Sequence, residues 1–266
     1  MSDDTAIDHL DDSLHSSRFQ LGSYIDQGYN LWRKKPLSFV AILLLSGLIS
    51  VSLNIIPVLG PLLGGLFISP CLTLGVYLSC QIIEDDANAF KFEDFFSGFS
   101  FLSKVIVLNL IIYGFAILLI FPIVMSIGFS AFASFDSADP TSFPIESIGG
   151  VTLLLIIPLI YASLLVSYAV PMIGFYKLEP WDALRYSAKY IHKHWIMFFL
   201  FMIVIFFIMM LGILALFIGV IVTASMIYPL IYVSFRDVTD LDTFMNPEED
   251  DDLTLGYTGA TLDDFR

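Results

Sequence analysis

Residues 195–235 form a run of 41 positions without a single Asp, Glu, Lys, Arg or His. A helix needs about 20 apolar residues to cross a bilayer, so this run is long enough for two crossings. Gly212 and Gly219 are the positions where the run can most easily fold back on itself. Because a water-soluble core has no use for two such helices in succession, the sequence predicts a membrane-embedded protein.

The composition indicates the same class, since 57% of the 266 residues are hydrophobic and only 14% are charged. The formal net charge of −14 comes from the two ends of the chain. Residues 1–17 hold five acids and no Lys or Arg, and residues 237–266 hold ten acids and one Arg. We therefore predict disordered acidic tails at 1–17 and 237–266 around a membrane domain at 18–236.

Hydrophobic periodicity predicts an all-α fold, a polytopic transmembrane bundle of six spans. The spans are predicted at residues 37–56, 62–83, 105–129, 150–176, 195–211 and 214–235. Three amphipathic helices, at 19–32, 90–102 and 181–195, have the apolar spacing of helices that lie in the membrane interface. In the second of them, four phenylalanines repeat at i, i+3, i+4 and i+7, namely Phe92, Phe95, Phe96 and Phe99.

The distribution of basic residues predicts the topology. With six spans, all twelve Lys and Arg residues fall on one side of the membrane. The opposite connections, near Pro57, at 131–147 and near Gly212, contain none. Since cytoplasmic loops are the ones enriched in Lys and Arg, both termini are expected in the cytoplasm.

A weak internal repeat accompanies the spans. An offset of 159 residues superposes Lys34 on Lys193, Gly60 on Gly219 and Pro70 on Pro229. Both copies read as an amphipathic helix, a span, a turn with Gly and a span with Pro. If the repeat is genuine, the two halves are parallel and related by an axis along the membrane normal.

The predicted spans contain no Asp, Glu, Lys, Arg or His, which disfavours proton relays and voltage sensors. The four histidines do not have the spacing of a metal site, and no nucleotide-binding or hydrolase motif occurs. We therefore expect no metal, no cofactor and no enzymatic activity. Cys71 and Cys80 fall on opposite faces of one helix, so they are interpreted as packing residues and not as a disulfide.

Two groups of residues are candidates for a functional role. Prolines and amides within or beside the spans would kink helices or line a cavity, because each helix proline frees a backbone carbonyl. Aromatic and basic residues of the amphipathic helices would anchor the protein at the interface. The kink and cavity candidates are Pro70, Pro122, Pro158, Pro229, Asn54 and Asn109, and the anchors are Trp32, Arg33, Lys34, Lys35, Trp181, Arg185, Lys189, Lys193 and Trp195.

Three stretches resemble a known group of proteins. They are Gly28-Tyr29-Asn30-Leu31-Trp32, the segment 60–70 with Gly-Pro at its start and Ser-Pro at its end, and Phe92-Glu93-Asp94-Phe95-Phe96-Ser97-Gly98-Phe99. The resemblance is to a loose group of uncharacterised bacterial six-helix membrane proteins, similar to the membrane domain of some glycerophosphodiester phosphodiesterases. It implies the six-helix fold and a bacterial inner membrane. The soluble phosphodiesterase barrel has no counterpart here, so the resemblance implies no catalytic residue.

Two functions from different classes remain open at this point. The first is a non-enzymatic membrane module that engages lipids or other membrane proteins, with the acidic tails available to a basic cytoplasmic partner and no role in nucleic-acid binding. The second is a small-solute or lipid transporter built on two parallel repeats. A polar cavity between spans two and six would favour the transporter, and a closed bundle with apolar grooves would favour the module. Removal of residues 1–16 and 245–266 is expected to leave the fold intact.

Overall fold

A computed structural model of the chain describes residues 3–16, 19–57, 59–134, 161–214 and 216–245. Every regular element in these ranges is a helix. In chain order they are α1 (Asp3–Ser16), α2 (Leu21–Lys34), α3 (Pro36–Leu53), α4 (Leu59–Asp85), a 3-10 helix (Phe92–Phe101), α5 (Leu102–Ser134), α6 (Tyr161–Phe175), α7 (Pro180–Lys193), α8 (Trp195–Leu214), α9 (Leu216–Thr239) and α10 (Leu241–Met245).

Five helical stretches are long and apolar enough to cross a membrane. They are Pro36–Leu53, Leu59–Asp85, Phe92–Leu118, Trp195–Leu214 and Gly219–Thr239, and they correspond to predicted spans one, two, three, five and six. The fourth predicted span is described only over α6, which is apolar but short, because residues 150–160 lie outside the described ranges. An all-helical protein with five apolar, membrane-length helices is therefore established, and a sixth crossing stays a prediction.

Helix α4 is the centre of the bundle. In its most apolar window 72% of the residues are buried, against 11% in α3 and 17% in α8. The sequence explains why α4 is more buried than α8. Helix α4 is rich in small residues that let neighbouring backbones approach, whereas α8 carries large apolar side chains on all sides. Cys71 and Cys80 of α4 are both buried and unbridged, which confirms their interpretation as packing residues.

Helices α8 and α9 form the antiparallel pair expected from the uncharged run. Helix α8 ends at Leu214, α9 begins at Leu216, and the two helices meet at a glycine. A Cβ atom added at Gly212 would lie 2.2 Å from Oγ1 of Thr223 and 3.0 Å from the carbonyl oxygen of Gly219. Gly212 and Gly219 both lie within helices, so they form the close contact of the pair and are not the turn itself, which the sequence predicted at these positions.

Helix α2 packs across α9 at another glycine contact. A Cβ atom at Gly28 would lie 2.9 Å from the Cα atom of Leu230, so the two helices touch almost backbone to backbone. Tyr24 and Leu31 of α2 are buried on the same side. Helices α2 and α7 have the lengths and positions expected of the first and third amphipathic helices, while their location in the membrane interface stays a prediction.

The segment predicted as an amphipathic α-helix at 90–102 is a 3-10 helix instead. Its period of three residues places Phe95 and Gly98 on one face, and both are buried against α4. A Cβ atom at Gly75 would lie 1.9 Å from the Phe95 carbonyl oxygen, and one at Gly98 would lie 2.1 Å from the Cys71 carbonyl oxygen. This contact selects the tighter helix and leaves three of the four expected phenylalanines exposed, namely Phe92, Phe96 and Phe99.

The prediction that residues 1–17 are disordered is wrong for residues 3–16, which form α1. Ala6 and Leu10 lie four residues apart on one face of this helix and are completely buried, with Ile7 and Leu14 packed beside them. The segment is polar overall, but its few apolar residues share a face, and the helix packs against both α7 and α9. Truncation of residues 1–16 is therefore expected to disturb packing, contrary to the sequence-based expectation.

The predicted C-terminal tail, 237–266, begins later in the structure than the sequence indicates. Helix α9 continues to Thr239, and α10 follows with Leu241, Phe244 and Met245 buried. Asp240 bridges the two helices with a positive φ of 52°. Residues 237–245 thus belong to the folded body, because the acids at 237, 240 and 242 alternate with apolar residues that pack on it. The remainder of the predicted tail, 246–266, lies outside the described residues.

Candidate functional site

The predicted kink and cavity residues do not converge. Pro229 is buried inside α9, and Pro70 follows a π-helical turn of α4 that spans Gly64–Ile68. Asn54 is exposed at the end of α3, and Asn109 is buried in α5. Each side-chain amide donates a hydrogen bond to a backbone carbonyl of its own helix. Asn54 donates to Ser50 at 2.7 Å, and Asn109 donates to Val105 at 2.8 Å.

Two further prolines of this group cannot be placed in a site. Pro122 belongs to α5, but its side-chain surroundings lie outside the description, and Pro158 lies outside the described residues altogether. The prediction that Pro122 and Pro158 kink their helices therefore rests on their sequence positions alone.

Contacts between α4 and α9 determine where the two central prolines lie relative to each other. Tyr77 and Tyr228 stack edge to face with ring centroids 6.3 Å apart, and the Tyr232 hydroxyl bonds to Gln81. Both pairs join residues 151 positions apart, so Pro229 lies about level with residue 78 of α4. That is about 12 Å, or two turns, from Pro70. The two prolines therefore do not lie at matching depths, although the 159-residue offset superposes them in sequence.

The helix boundaries nonetheless follow the 159-residue offset. Leu21 and Pro180 begin α2 and α7, and Lys34 and Lys193 end them. In each case the next helix, α3 or α8, begins two residues further on. The surroundings differ, however. Helix α9 carries α2 on its surface, whereas the 3-10 helix covers α4 at Cys71 and Gly75. The order of elements repeats, and the packing around the two central helices does not.

A small polar cavity lies between α3, α4 and α9. Its volume is about 150 Å³, and it adjoins the π-helical turn. Five hydroxyl groups line it together with apolar side chains, and these are on Ser46, Ser50, Ser69, Thr73 and Tyr228. Ser46 and Ser50 donate to carbonyls of their own helix at 2.8 Å, which leaves their oxygens as acceptors. No charged residue lines this cavity, so it suits neutral, hydrogen-bonding groups only.

A larger, apolar groove separates the start of α4 from α5. Its volume is about 570 Å³, within the range of 300–1,000 Å³ that is typical of ligand sites. Its lining residues are Pro61, Leu62, Leu66, Leu110, Tyr113, Gly114 and Ile117. Gly65 lies against the Tyr113 ring, since a Cβ atom there would be 2.6 Å from the hydroxyl. Gly114 has no atom within 4 Å of an added Cβ, so the groove is open at that position.

A polar network joins the helices at the end of the bundle where the described bases gather. The Arg236 guanidinium pairs with the Glu84 carboxylate, and its Nη2 donates to Gln27 at 2.7 Å. Tyr232 adds its hydroxyl, which bonds to Gln81 and lies 3.1 Å from Glu84 Oε2. This network links α2, α4 and α9, and sequence reasoning missed it. The only signal was the presence of Glu84 and Arg236 directly after predicted spans two and six.

A second set of bonds at the same end ties loops to helices. Lys34 donates to the carbonyl of Glu84 at 2.8 Å and so caps the end of α4. Lys104 at the start of α5 donates to the Lys177 carbonyl at 2.7 Å and pairs with Glu179 at 2.9 Å. Lys34 and Lys104 therefore stabilise contacts between segments of the protein in addition to carrying charge.

The predicted interfacial anchors divide into two classes. Trp181 and Trp195 are 64% and 63% exposed, and Arg33 and Arg185 are exposed too. Four of the others, all but Lys35, form side-chain bonds inside the protein. Trp32 is partly buried and donates from Nε1 to Ser225 at 3.0 Å, so it packs against α9, and its role as an interfacial anchor stays a prediction. Lys34 caps α4 as described above, Lys35 is half-buried, and Lys189 and Lys193 contact α1.

The contact between α1 and α7 is polar and specific. The Asp11 carboxylate accepts hydrogen bonds from Lys189 and from the Tyr186 hydroxyl, both at 2.8 Å. The bond from Lys189 holds the pKa of Asp11 below its usual value, and burial, with the bond to Asp11, raises the pKa of Tyr186 to about 12. The Tyr190 hydroxyl donates to the Leu10 carbonyl at 2.9 Å and bonds to Ser13 at 2.5 Å.

Metal chemistry finds no support in the described part of the chain, where no three His, Cys, Asp or Glu side chains lie close enough together to hold an ion. The geometry offers two spaces between the long apolar helices, one apolar and one lined by hydroxyls, and a charged end that holds the helices together. Comparison with known proteins adds no name to it: no protein-family model matches the chain, and no curated protein or solved structure shows significant similarity to it.

Proposed function

We propose that this protein is a non-enzymatic, multi-pass module of a bacterial inner membrane that engages lipid through the groove between α4 and α5, with both termini in the cytoplasm. The observation that carries the proposal is the apolar groove of about 570 Å³. It lies between two helices long enough to cross a membrane and is lined almost entirely by hydrocarbon. Such a surface fits an acyl chain, and it offers no group for chemistry on a substrate.

The charged end of the bundle fits the same proposal. Some of the described bases at this end bond to neighbouring helices, and others lie near exposed aromatic rings. One such ring is Trp195, which follows directly after α7. Aromatic and basic residues together favour the headgroup level of the cytoplasmic leaflet. The resemblance to bacterial six-helix membrane proteins supports this location and says nothing further about activity.

A substitution at Gly114 tests the groove directly. Leucine at 114 would project into open space and fill the groove without displacing a neighbour. The matched control is leucine at Gly47, which also has no atom within 4 Å of an added Cβ but lines the small polar cavity. Native mass spectrometry of the purified proteins measures retained lipid. We expect G114L to lose bound lipid and G47L to keep it; retention by both variants would rule out the groove.

The second candidate, a small-solute transporter, is favoured by the hydroxyl-lined cavity between α3, α4 and α9. A volume of about 150 Å³ is half of the smallest typical ligand site, and the packing around α4 and α9 is not symmetric. The same two variants separate the candidates. A solute-binding or transport function would be lost in G47L and preserved in G114L, the reverse of the outcome expected for the lipid module.

A further inference from the structure

Three basic residues form one stripe along α7. Arg185, Lys189 and Lys193 are four residues apart in succession, so their side chains follow one side of the helix. The stripe ends two residues before Trp195, where the membrane-length helix α8 begins. Trp181 and Trp195, at the two ends of α7, are 64% and 63% exposed. Bases beside exposed tryptophans at the end of a span have the composition of a surface that contacts lipid headgroups.

Two of these three bases are already occupied by α1. Lys189 donates to the Asp11 carboxylate at 2.8 Å. Lys193 donates to the carbonyls of Leu14 and His15 in the last turn of α1, at 3.2 Å in the case of His15. Carbonyls in a last turn carry the negative end of the helix dipole. Helix α1 therefore offers α7 a carboxylate and partly negative oxygens, which is also what an anionic headgroup offers.

The composition of α1 strengthens this comparison. The helix contains five Asp and no Lys or Arg. Its apolar contact involves Ala6 and Leu10, which are fully buried, Ile7 and Leu14, which are partly so, and the His9 ring, which packs on Phe244. The contacts of Lys189 and Lys193 with α1 lie at the rim, and polar contacts at the rim are the ones that other anions and salt can weaken.

We propose that α1 is an intramolecular competitor of anionic lipid: it covers Lys189 and Lys193 of α7, and anionic headgroups displace it by binding the same bases. Arg185 gives the headgroups an initial contact, because it is exposed and no bond from the described residues of α1 reaches it. Whether α1 is attached to α7 thus depends on the fraction of anionic lipid in the surrounding leaflet. This inference rests on the proposed engagement of lipid, but it concerns α7 and not the groove.

Hydrogen exchange of the α1 amides tests the competition in the full-length protein. The protein is placed in nanodiscs of phosphatidylcholine alone or of phosphatidylcholine with phosphatidylglycerol, and exchange is followed by mass spectrometry. In wild type we expect α1 to exchange faster with phosphatidylglycerol present, by a factor of about 3 or more, as expected when one exposed ion pair is replaced. High salt should shrink the difference, since it screens the headgroups.

Matched variants separate the competition from a purely structural role of α1. D11N removes the carboxylate that Lys189 contacts, and D8N removes the same charge from an exposed position. D11N is expected to accelerate exchange in neutral nanodiscs, and D8N is not. R185Q should keep α1 attached in neutral lipid and weaken the response to phosphatidylglycerol.

Equal exchange of wild-type α1 in both kinds of nanodisc would overturn the proposal. So would equal behaviour of D11N and D8N, or an undiminished lipid response in R185Q. The groove variant G114L keeps the two proposals distinct. It should lose retained lipid and leave the exchange of α1 unchanged, so a failure of the groove can be recognised independently of a failure of the competition.

Discussion

The Arg236 guanidinium near the end of α9 forms an ion pair with the Glu84 carboxylate at the end of α4, and the two side chains are only 14% and 27% exposed. These helices form the centre of the bundle, so the pair fastens its two core elements at their charged ends. Asp242 of α10 lies 3.4 Å from Nε of Arg236 and extends the network to the last described helix. Burial raises the pKa of Asp242 above its usual value.

Loss of one partner of this pair should be costly. Neutralising either residue leaves the other charge partly buried and short of a partner, which costs about 1–3 kcal/mol, somewhat less than for a fully buried pair. We expect E84Q and R236Q each to lower the thermal midpoint in detergent. E179Q is the control, because the Lys104–Glu179 pair is 31% and 57% exposed and is worth at most about 1 kcal/mol.

A double-mutant cycle distinguishes the pair from its surroundings. If Glu84 and Arg236 interact directly, the double variant should lose less stability than the sum of the single variants, by roughly 0.5–3 kcal/mol. Strict additivity would show that each residue acts through other neighbours, such as Tyr232 or Gln27.

The contact between α4 and the 3-10 helix predicts a strong effect at Gly75. Alanine there would bring a Cβ atom to 1.9 Å from the Phe95 carbonyl oxygen, so backbone must move. We expect G75A to destabilise the protein by about 1–3 kcal/mol or more, as overpacking does in a tight core. G22A is the matched control, because an added Cβ at Gly22 has no neighbour within 4 Å. A thermal midpoint of G75A equal to that of wild type would contradict the contact.

The membrane helices could be predicted from sequence because they depend on a local property. Long runs without charge, such as 195–235, allow few alternatives, and five of the six predicted spans correspond to apolar helices of sufficient length. The pairing of α8 with α9 and the packing of Cys71 and Cys80 follow from equally local signals. In each case the residue itself, and not a distant partner, determines the outcome.

The errors concern residues whose structure depends on distant partners. Leu10 is buried against a surface about 180 positions away in sequence, where the Tyr190 hydroxyl bonds to the Leu10 carbonyl. No residue near Leu10 in sequence indicates that this surface exists. The segment 92–101 satisfies the α-helical spacing of phenylalanines equally well, and only the contact of Gly98 with α4 selects the 3-10 form. Lys189 could not be distinguished from a lipid anchor until its contact with Asp11 was known.

The burial of α1 yields a prediction for stability. L10A removes a completely buried side chain and should cost about 2 kcal/mol or more, at the low end for such truncations because the helix lies at the edge of the bundle. D8A, on the exposed face, should have little effect. Thermal unfolding in detergent measures both. An L10A variant as stable as wild type would show that α1 contributes nothing to the folded body.

The pKa of Asp11 gives this contact a definite pH dependence. Because the pKa is lowered from 3.8 in the folded protein, the contribution is present above pH 3.8 and is lost as pH falls through the lower, folded value. The contact with Lys189 is therefore intact at neutral pH. Acidification well below pH 4 should weaken the attachment of α1 in wild type, seen as faster hydrogen exchange of its amides, and D11N should not show this step.

The topology is the last prediction. If the chain crosses the membrane six times, position 137 lies outside and position 254 lies in the cytoplasm, because all Lys and Arg residues then share the cytoplasmic side. Single cysteines introduced as S137C and T254C test this with a membrane-impermeant thiol reagent on intact cells and on inverted vesicles. The two native cysteines are buried, so they should give little background, and the wild-type chain measures it. S137C should react in cells and T254C in inverted vesicles. Five crossings would place one of the two positions on the opposite side, so labelling of both from the same side would exclude the six-span arrangement.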